Sequence, residues 1–184
     1  MTKRLRANNS VLLVIDIQDK LLAKLSTASD LIRATALLLD AAALLGVPIQ
    51  ATEQYPKGLG LTTPEIADRI PEPITSKTAF SCCGAGTFLE ELELLQRPNI
   101  VLVGIETHVC VMQTALDLIE AGLHVFLPVN AVAARFQVDH QTAIRRVELA
   151  GGVPTTAEAV VFEWITDAAH PQFKAISKLI VSSQ

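Results

Sequence analysis

Aromatic residues are scarce in this sequence, at only 4% of its 184 positions. Its core must therefore rest on Leu, Ile, Val and Ala, and a hydrophobic content of 50% is enough to build one and to exclude intrinsic disorder. Basic charge is short too. With a net charge of -4 there is no field to attract nucleic acid, and Lys3, Arg4 and Arg6 form a brief terminal cluster that reads as solvated. Long apolar runs are missing. The Val11–Ile15 run stops at Asp16, and the stretch from Leu31 to Ile49 is broken by Arg33 and Asp40, so neither a secretory signal nor a membrane span is expected. Three cysteines, two of them adjacent at Cys82 and Cys83, do not make a disulfide framework, and a reducing cytoplasm is the expected setting. Neither G-x-G-x-x-G nor G-x-x-x-x-G-K-[ST] occurs, which argues against a phosphate cradle.

What the chain does contain is an alternation of short apolar runs with amphipathic stretches. That rhythm predicts parallel strands joined by crossover helices. Strands are expected at Val11–Asp16, Val47–Thr52, Ile74–Thr78, Ile100–Ile105 and His124–Val129, with a small one at Val153–Pro154. Helices are expected from Asp30 to a stop at Gly46, after Thr87 with Glu90 as its capping-box partner, and after Thr107. Further helices are read over 139–150, 157–165 and 171–181. The segment EQYPKGLGLTTPEI, crowded with Pro56, Gly58 and Gly60, reads as a loop over a site or an interface. Length sets the count at one domain over 1–184. The predicted fold is an α/β three-layer sandwich, with a mostly parallel, doubly wound (Rossmann-like) sheet and helices on both faces.

In such a sheet, ligands bind outside the carboxyl ends of the strands. The residues at those ends are Asp16, the Thr52-Glu53-Gln54 run, Lys77, Ile105-Glu106 with Cys110 just beyond, and Asn130. With Thr107 as N-cap, Cys110 falls at the third helical position, where the helix dipole favours a thiolate. The apolar stripe of that helix is read as Val109, Met112, Leu116 and Ile119, with Cys110, Thr114 and Asp117 on the neighbouring face. Taken singly, each residue has an ordinary explanation: Cys110 a small buried hydrophobe, Asp16 a turn cap, Lys77 a solvated lysine. Jointly they supply the nucleophile, base and cation that thiol chemistry requires.

The segments DIQ (Asp16–Gln18), TEQYPKGLG (Thr52–Gly60), SKTAFS (Ser76–Ser81) and VGIETHVCVMQTALDL (Val103–Leu118) resemble the isochorismatase-like cysteine hydrolases, a family that includes the nicotinamidases. TEQYPKGLG resembles the isochorismatase domain-containing branch. The resemblance spans about Asn9 to Ile165 and implies a catalytic Asp at Asp16, a Lys at Lys77 and a nucleophile at Cys110. It also implies a cis peptide joining Ile105 to Glu106, which turns the Glu106 N–H toward the Cys110 N–H as an oxyanion hole. The implied chemistry is metal-independent cleavage of a small amide or related C–N bond through a thioester, with no cofactor. Vinyl-ether cleavage of isochorismate does not need the thiol, so the superfamily name is not the expected activity.

Two departures stand out. Metal-dependent nicotinamidases carry Asp-x-His after the second strand, but this chain reads ATEQYPKG there and has no His before His108. Where the family often has Asp-Ala after the fifth strand, this chain has Asn130-Ala131. Gln54, Tyr55 and Phe80 are candidate pocket residues on loops near Cys110. The rival readings are a thiol-redox protein pairing Cys110 with Cys82 or Cys83, and an inert small-molecule-binding α/β domain. The only partners expected are a small-molecule substrate and further copies of the chain, with neither nucleic acid nor membrane. Self-association is anticipated from the apolar 53–66 loop and from Phe173, Ile176 and Ile180 at helical spacing.

Overall fold

In the computed structural model, which describes residues 4–71 and 73–182, the strand Ser10–Ile15 (β1) is buried at every position. Lys3 of the terminal basic cluster lies outside the described residues. Complete burial follows from a continuous run of β-branched and Leu side chains, which suits a strand covered on both faces. Leu12 and Val14 point to one core layer, Val11, Leu13 and Ile15 to the other. Strand β4 (Asn99–Ile105) divides in the same way, with Val101 and Val103 on the first side and Ile100 and Leu102 on the second.

The remaining strands are β2 (Ile49–Gln54), β3 (Thr75–Lys77), β5 (His124–Pro128), β6 (Val132–Ala133) and β7 (Val153–Thr155). The sheet runs β3-β2-β1-β4-β5-β7, with β6 beside the end of β4. Every ladder in it is parallel. One core layer lies under α2 (Ala28–Leu45), α8 (Ala157–Ile165) and α9 (Phe173–Ser182). The opposite layer lies under α5 (Phe88–Leu94), α6 (Met112–Glu120) and α7 (Gln137–Leu149). Short helices α1 (Asp19–Leu22), α3 (Pro56–Leu59) and α4 (Pro64–Ala67) line the carboxyl side of the sheet.

The chain winds outward from β1 to β2 and β3, then returns to β4 and winds the other way. The strand order therefore reverses between β1 and β4, which is where an open parallel sheet leaves a crevice at the carboxyl ends of its strands. Gly104 lets those two strands close on each other there. Its φ is +124°, and a Cβ at this position would stand 2.0 Å from the Ile15 carbonyl oxygen.

Several expected boundaries move. Strand β2 begins and ends two residues later than the apolar run suggests, so Gln54 is the last strand residue and not part of a loop. The stretch after it holds two one-turn helices, each opened by a proline. Glu53 is buried in that region and accepts from both the N–H and the hydroxyl of Thr62, which ties the segment down. Thr87 bonds its hydroxyl to Glu91 instead of forming a capping box with Glu90. Helix α2 starts at Ala28, with Asp30 inside its first turn, and Gly46 closes it at φ 66° as expected. In α9, Ile176 and Ile180 are buried against the chain's own core with Phe173 packed beside them, so this stripe is not an oligomer surface.

Candidate active site

Asp16 directly follows β1 and is fully buried, with a left-handed φ of 54°. Such a backbone is uncommon for a non-glycine residue, and Asp is among the few that adopt it. One carboxylate oxygen, Oδ2, lies 2.7 Å from Lys77 Nζ, and the other accepts from the Thr52 hydroxyl at 2.9 Å. Lys77 ends β3, whose register sets it beside Gln54. Its ammonium also donates to Gln54 Oε1 at 2.7 Å and to the carbonyls of Phe80 (3.0 Å) and Ala79 (3.3 Å). A buried ammonium needs this many acceptors to offset the loss of water.

Gln54 is itself held from three sides. Its N–H donates to Gln18 Oε1 at 2.9 Å, its Nε2 donates to the Thr78 carbonyl at 2.8 Å, and its backbone carbonyl accepts from Gln18 Nε2 at 3.1 Å. The amide is thereby oriented with Oε1 toward Lys77 and toward Cys110 Sγ, 3.8 Å away. Cys110 is 5% exposed, its thiol donates to Gln54 Oε1, and the charge of Asp16 acts on it. Asp16, Lys77, Gln54 and Cys110 thus come together in one buried cluster at the crevice.

The loop bearing Cys110 differs from the expected helix start. Glu106, not Thr107, occupies the N-cap position, and Thr107–Val111 form a π-helical turn before α6. The peptide joining Ile105 to Glu106 is cis. The Glu106 carbonyl accepts from Val109 N–H at 3.0 Å and Val111 N–H at 3.3 Å. An α-helix would send the Cys110 N–H to that carbonyl; the π turn passes over it. The buried face of α6 runs through Val111, Thr114, Ala115 and Leu118, with Cys110 on the same side, while Val109, Met112 and Ile119 are only partly buried. Both stripes keep α-helical spacing, and the face one residue earlier in the chain is the one turned to the sheet.

Electrostatics overturn one expectation outright. Burial, then the charge of Asp16, push the Cys110 thiol well above its ordinary range, and Lys77 offsets this only in part. Burial and the neighbouring carboxylate thus favour the thiol over the thiolate. Lys77 directs its donors to Asp16, Gln54 and two carbonyls. Cys82, fully buried, is likewise pushed up by burial, and Cys83 is pushed up to about 11 for the same reason.

Tyr55 and Phe80 flank the cluster through their backbones. The Tyr55 N–H bonds the Lys77 carbonyl at 2.8 Å, and the Phe80 carbonyl faces Lys77 Nζ. Both side chains are half exposed, and the Tyr55 ring lies over Gly58. Asn130 accepts from the Ala157 N–H at 2.9 Å and so caps α8. Sequence reasoning set Thr52 at a strand end, Gln18 in a motif and Thr114 on the Cys110 face, but the hydrogen bonds that tie them and Cys82 into the site were not foreseen, because a buried polar bond leaves no periodic signal. Among the described residues, no group of three or more His, Cys, Asp or Glu side chains is placed to hold a metal ion.

Comparison with known proteins agrees with this fold. The family model described as the Isochorismatase domain matches residues 10–159. Human isochorismatase domain-containing protein 2 is 39% identical over 180 residues, covering 96% of this chain and 85% of that protein. The structure of MAR1 ribonuclease from Caenorhabditis elegans superposes with a TM-score of 0.91 at 41% identity, covering 97% of this chain and 93% of that one. The Escherichia coli YcaC gene product, described as an octameric hydrolase of unknown specificity, shares the fold with a TM-score of 0.84 at 21% identity, over 99% and 97% of the two chains.

Proposed function

The chain belongs to the isochorismatase domain family, and from that premise we propose that it is a cysteine hydrolase cleaving a small amide or related acyl C–N bond through a thioester on Cys110. The observation that carries this reading is the direct linkage of Asp16, Lys77 and Gln54 beside a buried thiol at the strand-order reversal. Nucleophile, base and cation are the parts such chemistry needs.

Because the resting thiol is protonated, thiolate formation is coupled to attack. Asp16 takes the Cys110 proton as sulfur adds to the substrate carbonyl carbon. Lys77, 2.7 Å from Asp16, steadies the charge that passes between them. The oxyanion forms against the N–H groups of Glu106 and Cys110, the second of which the π turn leaves out of the helical ladder. Asp16 then returns its proton to the departing nitrogen as the C–N bond breaks. A water, deprotonated by Asp16, attacks the thioester carbonyl; the C–S bond breaks and the proton returns to sulfur. No step calls on a cofactor.

The nematode neighbour is called a ribonuclease, but a chain of net charge -4 whose site cation, Lys77, is buried against a carboxylate has little to draw a polyanion. The redox alternative is not favoured either, because the family model that matches the chain is a hydrolase domain. Self-association belongs to the proposal. Tyr55, Leu61, Phe80, Phe136 and Val138 are exposed apolar side chains around the carboxyl side of the sheet, and the E. coli neighbour is described as octameric. Light scattering should give a multiple of the 19.8 kDa chain mass; a monomer at micromolar concentration overturns the assembly. The activity itself is tested by screening small primary amides and carbamoyl compounds for ammonia release. Release should follow wild-type protein and vanish with Cys110→Ala. Release that persists in that variant sinks the reading.

A further inference from the structure

Behind the cluster of Asp16, Lys77, Gln54 and Cys110, a second hydrogen-bonded path joins the same carboxylate to the same cysteine. Thr52 sits in register with Ile15, one residue before Asp16. Its carbonyl accepts the Asp16 N–H at 3.0 Å, and its hydroxyl stands 2.9 Å from Asp16 Oδ1. A carboxylate only accepts, so the hydroxyl donates to it and keeps its lone pairs for the Cys82 thiol, 3.5 Å away. The Cys82 N–H donates to Thr114 Oγ1 at 2.9 Å, and the Thr114 hydroxyl donates to the Cys110 carbonyl at 2.7 Å. Thr52, Cys82 and Thr114 are 1%, 0% and 0% exposed, so water does not compete for any of these bonds.

We propose that Thr52 is a positioning residue of this active site, fixing the plane and charge of the Asp16 carboxylate, with Cys82 and Thr114 tying it to the turn that carries Cys110. The physical need is plain. Asp16 has a left-handed backbone, and one cation contact at Oδ2 would leave its carboxylate free to rotate about that contact. A second anchor at Oδ1 fixes the plane and so the direction of the acceptor capacity left for the Cys110 thiol. A donor to the charged form also favours that form. Cys82 suits the link because burial keeps it a thiol, which donates and does not compete as a nucleophile.

The functional meaning of this inference rests on the hydrolase reading, but its first test needs no substrate. In protein labelled with 13C at the aspartate carboxyls, Asp16 is assigned by its absence from Asp16→Asn. Thr52→Val removes the hydroxyl at nearly equal volume, and the Asp16 carboxyl resonance at neutral pH should move from its wild-type position as Oδ1 loses its donor. Thr52→Ser, which keeps the hydroxyl, should restore it. With any amide found to turn over, Thr52→Val should lower kcat by about 10-fold or more with KM little changed. Should Thr52→Val not fold, Cys82→Ala removes only the thiol donor and should move the Asp16 resonance the same way by less. A Thr52→Val protein, or failing that a Cys82→Ala protein, whose Asp16 resonance is that of the wild type overturns the inference and leaves the hydrolase reading standing. Full turnover by Asp16→Asn overturns the hydrolase reading whatever Thr52 does.

Discussion

Gln54 Oε1 lies 2.7 Å from Lys77 Nζ and 3.8 Å from Cys110 Sγ, and Lys77 Nζ lies 2.7 Å from Asp16 Oδ2. The cation is thus shared between a carboxylate and an amide and is not aimed at sulfur alone. Burial then decides the ionisation of Cys110, and it decides for the thiol.

A pH dependence follows. A thiol whose pKa lies above its ordinary value is protonated at neutral pH and ionises only on the alkaline side. Alkylation of Cys110 by iodoacetamide should therefore be no faster than that of a free cysteine at pH about 6.5 and should climb beyond pH about 9. Cys83, the partly exposed thiol, should react ahead of it at neutral pH, although its own pKa is pushed up to about 11. Peptide mapping of labelled protein across pH checks both statements; rapid labelling of Cys110 at pH about 6.5 would contradict them.

Covalent catalysis predicts a steep loss on removing sulfur. Cys110→Ala should lower amide turnover by at least about 10³-fold, because the thioester route disappears. Asp16→Asn should be nearly as damaging, since the proton then has no acceptor. Steady-state rates on an amide from the screen decide this, with circular dichroism to confirm that both variants fold. A loss below about tenfold in Cys110→Ala would exclude the thioester.

The Asp16–Lys77 pair has no exposed side-chain surface on either partner. Removing one partner leaves a buried, uncompensated charge, so Lys77→Met should cost about 3–5 kcal/mol of stability. Asp16→Asn combined with Lys77→Met should be more stable than Lys77→Met alone, because no lone charge remains. Urea melts of the single and double variants give the comparison, and additive effects would show that the pair is not coupled.

Gly104→Ala tests the closure of β4 against β1. Its Cβ would meet the Ile15 carbonyl oxygen at 2.0 Å, on a backbone with φ +124°. The clash is with backbone, so no rotamer change relieves it, and a loss of about 3 kcal/mol or more is expected. A thermal midpoint unchanged from wild type would show that the strands can part there.

The sequence by itself determined the layers of this protein. Continuous apolar runs at Val11–Ile15 and Ile100–Ile105 are buried on both faces because only a parallel sheet between helices leaves them no solvent side. The same runs put Asp16 and Cys110 just past strand ends, and the motifs around Lys77 placed a lysine at the third. Tertiary structure decided the rest. The ionisation of Cys110 depends on its 5% exposure and on Asp16 across the crevice, quantities with no local signature. The face that α6 turns to the sheet lies one residue from the expected stripe, a choice made by packing because both faces carry apolar residues at helical spacing. Gln18, Thr52, Cys82 and Thr114 joined the site because residues 30 to 36 apart in the chain were brought within hydrogen-bonding distance. Apolar patterning fixes which face a side chain takes, whereas a buried polar bond needs two chain segments in register, and that register exists only once the sheet has formed.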